Sequence, residues 1–163
     1  PMLNPQLTIV EVLGLAIVQE ITAYKRYQLF AGRVKNPLVK ERFHSLANEE
    51  KAHREILYTM LQKLTNEDKP PLPRSAPRLD EDKELSTSLK EILELAISKE
   101  QEAKAFYEDA ALLARDNSGR QLLEYLATFE EGHERTLQAE LDSLTKYPRW
   151  FDMDGPDIML VGH

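Results

Sequence analysis

The two halves of the chain carry the same arrangement of ionisable side chains, displaced by 80 residues. Each half contributes one isolated glutamate followed by a Glu-x-x-His motif. The six residues are Glu20, Glu50, His53, Glu100, Glu130 and His133. Neighbouring residues repeat as well, since Ala16-Ile17 recurs as Ala96-Ile97. A repeat of this length predicts two related helical hairpins, because a solenoid needs several shorter units.

Four segments have the periodicity of amphipathic helices. They cover approximately residues 5–34, 37–64, 85–115 and 118–146. In each segment apolar residues recur every three or four positions and so form a stripe along one face of the helix. The ionisable residues of the repeat occupy positions within this apolar stripe. In the second segment, for example, Leu46 and Leu57 flank Glu50 and His53. The six residues are therefore predicted to face the interior of a helical bundle.

The segment between the second and third helices is rich in charge and proline. Pro70, Pro71, Pro73 and Pro77 exclude a continuous helix across residues 65–84. About 20 residues are too many for a tight turn, but at roughly 3.3 Å per extended residue they can run from one end of a bundle to the other. We therefore expect an all-α four-helix bundle with one long crossover between helices 2 and 3, which can then run parallel.

Length and punctuation indicate a single domain over residues 1–163. A chain of this size suits one hydrophobic core. The tail over residues 147–163 is broken by proline and glycine and is predicted to be irregular. We expect its Trp150 and Phe151 to pack over one end of the bundle or against another subunit, and a homodimer is the expected assembly.

Composition excludes several classes of function. The net charge is −7 and no run of basic residues occurs, which argues against a nucleic-acid partner. The chain has no cysteine, which excludes disulfides, thiolate metal sites and thiol catalysis. Residues 7–18 lack the basic start of a signal peptide, and no apolar run approaches the roughly 20 residues of a membrane span. We expect a cytoplasmic protein without a membrane partner.

Four carboxylates inside an apolar bundle require compensation. Each buried carboxylate costs several kcal/mol unless it is paired or binds a metal. Two of them about 5 Å apart repel by roughly 3 kcal/mol at an effective dielectric constant near 20. Two divalent cations would balance the four negative charges, so the pattern predicts a dinuclear metal site. Mixed carboxylate and imidazole ligands suit iron or manganese, although zinc or copper would also bind.

Two tyrosines repeat with the ligand candidates. Tyr27 and Tyr107 each follow the isolated glutamate of their half by seven residues, on the same face of a helix. We assign their hydroxyl groups the role of orienting a ligand carboxylate. The alternative is that both are aromatic core residues with a polar tip.

This layout, one glutamate from each of two helices and Glu-x-x-His from each of the other two, resembles the ferritin-like di-iron carboxylate superfamily. Within it the chain looks most like the rubrerythrin branch. The resemblance implies a bundle that holds two iron ions and reacts with hydrogen peroxide or dioxygen. It also implies that Glu50 and Glu130 bridge the metals, and that His53 and His133 are terminal ligands.

Three departures from these families bear on the activity. Typical rubrerythrins have a further glutamate on the third helix, where this chain has Ala103. They also carry a cysteine-ligated rubredoxin module, which a chain without cysteine lacks, so electrons must come from a separate protein, such as a rubredoxin-like one, or from substrate iron. Bacterioferritins hold haem through a methionine at the position of Lys51. The expectation of no long fifth helix also argues against a cage.

Other ionisable residues are predicted to lie outside the site. Glu49, Glu131 and Glu134 flank the motifs but point away on a helical wheel, so we expect solvated charges. His44 has no carboxylate at ligand spacing, and His163 is terminal. Residues 152–157 resemble a calcium loop only in part, because they lack the ligand order and closing glutamate of an EF-hand, and a turn is expected.

Three functions fit these predictions to different degrees. The first is an oxidoreductase whose two irons reduce hydrogen peroxide or dioxygen. The second is an iron-binding protein that sequesters or delivers iron without sustained turnover. The third is a metal-free structural bundle, for which loss of Glu20 or Glu130 would stabilise the fold without removing any ligand.

Overall fold

The computed structural model of the chain describes residues 3–73 and 88–151, with no account of the side chain of residue 151. Within these residues the secondary structure is helical and contains no strand. The helices are α1 (Ile9–Arg33), α2 (Pro37–Thr65), α3 (Leu89–Leu113), α4 (Asn117–Lys146) and α5 (Pro148–Phe151). The four long helices agree with the predicted segments to within a few residues at the described ends. The predicted start of the third helix falls outside the described residues.

Local side-chain contacts explain where the helices begin and end. Thr8 and Glu11 form a capping box that starts α1, so the helix begins later than the predicted residue 5. The Asn36 side chain caps α2 ahead of Pro37. Asp116 caps α4 by accepting a hydrogen bond from the backbone N–H of Gly119. A Cβ atom at Gly119 would lie 2.6 Å from Asp116 Oδ1, so a larger residue there would displace the capping carboxylate.

The helices pack as two antiparallel hairpins, α1 with α2 and α3 with α4. Tyr27 of α1 contacts Glu100 of α3, and Tyr107 contacts Glu20, so these two helices are antiparallel. Arg42 and Glu140 pair at 3.0 Å between α2 and α4, which are antiparallel as well. It follows that α2 and α3 run parallel, as a long crossover requires. Residues 74–87 of that crossover lie outside the described residues.

The apolar core is divided into two clusters. The first includes Phe30, Phe43 and Leu137, and the second includes Leu13, Leu57 and Leu126.

The six ionisable residues of the repeat lie between these clusters, halfway along the long helices. Trp150 packs against the first cluster, as expected of a residue that covers one end of the bundle. The tail was predicted to be irregular, but Pro148–Phe151 form the short helix α5, and residues 152–163 lie outside the described residues. None of the helices described is both long and apolar enough to cross a membrane.

Candidate metal centre

All six ionisable residues of the repeat are buried, with no more than 5% of any residue exposed. Glu20 comes from α1, Glu50 and His53 from α2, Glu100 from α3, and Glu130 and His133 from α4. Each is a helical residue at a core-facing position, and so the backbone rather than a loop fixes its direction. The structure thus brings all of the predicted ligands to one layer of the bundle.

The six residues form two overlapping sets. Glu20, Glu50, His53 and Glu130 make one set, and Glu50, Glu100, Glu130 and His133 make the other. Within each set, one ligand atom from every residue lies within 4.8 Å of all the others. Glu50 and Glu130 belong to both sets, which is the placement required of a carboxylate that bridges two metal ions.

Both histidines present Nδ1 to the centre of the layer. His53 Nδ1 lies 3.5 Å from oxygen atoms of Glu50 and Glu130 and 3.8 Å from Glu20. His133 Nδ1 lies 3.4 Å from Glu50 and 3.6 Å from Glu100. Each imidazole is therefore near one isolated glutamate and at least one shared glutamate, and the two halves of the site mirror each other.

Seven buried atoms of this layer have no hydrogen-bond partner. They are Glu20 Oε2, Glu50 Oε1, His53 Nδ1, Glu100 Oε2, both carboxylate oxygens of Glu130, and His133 Nδ1. Buried polar atoms are rarely left unpaired, because an unpaired one costs about 1–3 kcal/mol. Their number, their position and their chemistry fit a pair of metal ions, for which carboxylate oxygen and imidazole nitrogen are suitable ligands.

Each tyrosine of the repeat bonds the isolated glutamate of the other half. The Tyr27 hydroxyl donates to Glu100 Oε1, and the Tyr107 hydroxyl donates to Glu20 Oε1. Burial, followed by the charges of nearby glutamates, raises the pKa of both tyrosines well above 10, so both remain donors. The two hydrogen bonds hold Oε1 of each isolated glutamate and leave its Oε2 without a partner. They also connect α1 with α3 across the site.

The protonation of the cluster follows from burial and crowding. Burial, and then the charges of neighbouring carboxylates, raises the pKa of Glu50 and Glu130. Burial lowers the pKa of His53, but nearby carboxylates outweigh it and raise the value to about 9. The same balance raises the pKa of His133. Burial also acts to raise the pKa of Glu100, yet contacts with His133 and a tyrosine hold it below its usual value. Without a cation, the cluster retains protons.

The prediction for Glu49 was wrong. This residue is not a solvated charge pointing away from the site, because its Oε2 lies 2.5 Å from His133 Nε2, with 45% of the side chain exposed. A helical wheel assigns one inward direction, but α2 borders α4 as well as α1. A residue at the edge of the apolar stripe therefore reaches the neighbouring helix. The position directly before a bridging glutamate was the only signal in the sequence.

The remaining ionisable residues are peripheral. Glu131 pairs with Lys104 and Arg135 at the surface, and Glu134 accepts a hydrogen bond from Gln101. His44 is partly buried and belongs to neither candidate ligand set. His163 and residues 152–157 lie outside the described residues.

An open groove between α2 and α4 reaches the edge of the site. Its volume is 450 Å³, and its lining includes Ser45, Glu49, Phe129, Gly132 and His133. A Cβ atom at Gly132 would meet no other atom within 4 Å, so this part of the groove is open. The groove gives solvent and small molecules a path to the outer face of the His133 ring.

Comparison with known proteins agrees with this architecture. A family model described as Rubrerythrin matches residues 11–141. A hypothetical protein from Pyrococcus furiosus has 25% identity and a TM-score of 0.71, with 86% of this chain and 92% of that chain covered. No curated protein sequence matches the chain.

Two further solved structures share the fold. A putative ferritin-like diiron-carboxylate protein from Thermotoga maritima has 22% identity and a TM-score of 0.69, covering 83% of this chain and 95% of that one. A bacterioferritin from Rhodobacter capsulatus has 22% identity and a TM-score of 0.65, covering 91% and 88%. The bundle is therefore ferritin-like, and the chain belongs to the Rubrerythrin family.

Proposed function

We propose that the protein is a di-iron oxidoreductase that couples the oxidation of iron to the reduction of hydrogen peroxide or dioxygen. The observation that supports this most is the pair of buried ligand sets sharing Glu50 and Glu130. A single structural ion would not require two sets, and a metal-free bundle would not retain seven unpaired polar atoms in its core. Manganese or zinc would fit the same ligands.

The residues of the site divide into three roles in this proposal. Glu50 and Glu130 would hold both ions, and His53 and His133 would each complete one position. Glu20 and Glu100 are terminal ligands whose direction is set by the tyrosines of the opposite hairpin. The four carboxylates balance the charge of two divalent cations. When bound, the two irons supply the electrons for reduction of the oxidant.

The surroundings suit a small oxidant. Apolar clusters close the site along the bundle axis on both sides, while the groove between α2 and α4 offers a lateral approach. Ala103 provides no carboxylate that could exchange with a ligand during turnover, which distinguishes this site from the typical rubrerythrin pattern. Electrons for repeated cycles would come from an external donor, such as a rubredoxin-like protein, or from substrate iron.

Iron storage or delivery is the second candidate. It is favoured by the similarity to bacterioferritins, and the Rhodobacter capsulatus protein has a dinuclear site, metal-free in that structure, and haem iron. In this case the same residues would bind iron without sustained reduction of an oxidant.

Stopped-flow spectroscopy tests the catalytic proposal. Protein loaded anaerobically with about two ferrous ions per chain is mixed with hydrogen peroxide or with dioxygen, and ferric absorption is followed. We expect oxidation faster than that of free ferrous iron in the same buffer, and its loss in Glu130→Gln. A rate no faster than that of free iron would contradict catalysis.

Excess ferrous iron then separates the two candidates. An oxidoreductase continues to consume oxidant beyond the first two ions per chain as long as electrons are supplied. A storage or delivery protein without turnover stops once its binding capacity is filled. Parallel measurement of bound iron after gel filtration shows whether the oxidised iron remains with the protein or is released.

A further inference from the structure

The repeat breaks at the residue that precedes each bridging glutamate. All six ligand candidates and both tyrosines have an equivalent 80 residues away, but Glu49 in the first half corresponds to Phe129 in the second. These two residues lie on opposite helices of the same groove. The difference matters because each contacts a histidine of the candidate metal centre.

The outer nitrogens of the two histidines have different surroundings. His133 Nε2 lies 2.5 Å from the Glu49 carboxylate. The His53 ring packs edge to face against the Phe129 ring, with centroids 4.7 Å apart, and Phe129 also packs edge to face against His133 at 5.8 Å. Among the described residues, the polar contacts of His53 run through Nδ1 to site carboxylates. A phenyl ring accepts no comparable hydrogen bond from Nε2–H.

A carboxylate on the outer nitrogen prepares a histidine for metal binding. It accepts a hydrogen bond from Nε2–H, keeps the lone pair of Nδ1 directed into the site, and makes the imidazole a stronger ligand. Removing such a partner typically lowers metal affinity by about 10–100-fold. Within residues 3–73 and 88–151, only His133 has such a carboxylate partner. The tyrosine bonds to Glu20 and Glu100 are equivalent in the two halves and do not distinguish them.

We infer that the two metal positions are unequal, and that Glu49 makes the position formed with His133 the tighter one. Glu49 is a positioning residue that acts through His133 and fills no ligand place itself. This inference rests on the proposed dinuclear site and adds an order of filling to it. The first ion occupies the His133 position, and the second occupies the His53 position.

Titration of the apo protein with Mn²⁺ tests this inference. Electron paramagnetic resonance of free Mn²⁺ gives both stepwise constants, and the bound signal distinguishes isolated ions from coupled pairs. We expect wild type to bind the first ion at least about 10-fold more tightly than the second, and to show isolated ions up to one equivalent. Repulsion between the ions would also separate the steps, so variants decide the cause.

Glu49→Leu removes the hydrogen-bond acceptor from a side chain that is nearly half exposed. We expect it to weaken the tight first step of His53→Ala about 10–100-fold, and the first step of His133→Ala by less than roughly threefold. Glu131→Leu is the matched control, because Glu131 also adjoins a bridging glutamate but pairs with Lys104 and Arg135, and both of its constants should match wild type. Glu49→Gln retains an oxygen acceptor and should give an intermediate loss of metal affinity. This variant replaces Glu49→Leu in the experiment if the leucine variant does not fold.

Histidine variants assign the steps to positions. His53→Ala should retain the tight first step, whereas His133→Ala should lose it. Unchanged constants in both Glu49 variants, equal weakening by Glu49→Leu in the two histidine variants, or the reverse result for the histidines would overturn the inference while leaving a two-metal site intact. Failure of wild type to bind Mn²⁺ would instead contradict the proposed centre itself.

Discussion

Replacing one bridging carboxylate by its neutral isostere should stabilise the metal-free protein. In Glu130→Gln one negative charge leaves a cluster whose ligand atoms lie within 4.8 Å of one another. Coulomb repulsion between one pair of carboxylates at that distance is about 3.5 kcal/mol at an effective dielectric constant of 20. Neither Glu130 oxygen has a hydrogen-bond partner, and the new amide can donate to neighbouring carboxylates. The one attraction lost is that of protonated His53, whose Nδ1 lies 3.5 Å from Glu130 Oε1.

Thermal unfolding of the metal-free protein at pH 9 measures this gain. Alkaline pH is chosen because a raised pKa of Glu130 makes ionisation more complete at higher pH, and because His53, with a pKa raised to about 9, then loses the proton through which it attracts Glu130. For a chain of this size 1 kcal/mol shifts Tm by roughly 2–4 °C, so we expect an increase of up to roughly 7–14 °C. With metal added, the order should reverse, because the wild type gains stability from binding and the variant loses a ligand of both positions.

Glu131→Gln is the control for this experiment. It removes one charge from the adjacent surface position and should change Tm by less than about 2 °C, because surface substitutions usually alter stability within about 0.5 kcal/mol. A metal-free Glu130→Gln protein that is less stable than wild type would refute the argument that the buried charges repel. Retention of two tightly bound ions in the variant would refute the bridging role.

Three further predictions concern the rest of the chain. Because folding raises the pKa of His53 from 6.5 to about 9, protonated His53 stabilises the metal-free protein, fully so below pH 6.5. This stabilisation is lost as pH rises through about 9, so Tm of the metal-free protein should fall between pH 6.5 and 9. A Tm that rises over this range would contradict the prediction. Tyr27→Phe releases one oxygen of Glu100 and should weaken metal binding by about 10-fold or more in calorimetric titration, with unchanged affinity as the contrary outcome. Gly14→Ala places a Cβ 2.9 Å from the ring of Pro73 in the crossover and should lower Tm. Gly32→Ala meets no atom within 4 Å and should raise the free energy of unfolding by up to about 1 kcal/mol. Equal effects of the two substitutions would argue against the contact with the crossover.

The architecture could be predicted because ionisable residues occupy positions within the apolar stripes of this chain's helices. Glu50 and His53 occupy steps of an apolar stripe, where a solvated pair would not be placed, and the same exception recurs 80 residues later. The proline-rich crossover then restricted the order of the helices, and the described contacts between α1 and α3 agree with parallel α2 and α3.

Contacts between helices were harder to predict than contacts with the core. A helical wheel does not show that Glu49 reaches α4, because the distance depends on how closely α2 and α4 pack. It also does not show that each tyrosine bonds the glutamate of the opposite half rather than its own, which requires α1 and α3 to be antiparallel neighbours. The expected homodimer and its electron donor stay predictions, because they concern surfaces and partners beyond a single chain.

The number of metal ions bound per chain tests the central claim most directly. Metal-free protein is dialysed anaerobically against ferrous iron and analysed by elemental mass spectrometry, with Glu130→Gln dialysed in parallel. The shared placement of Glu50 and Glu130 predicts about two tightly held ions per wild-type chain and fewer than about one in the variant. Wild-type protein that holds no iron, or a variant that holds as much as wild type, would contradict the account.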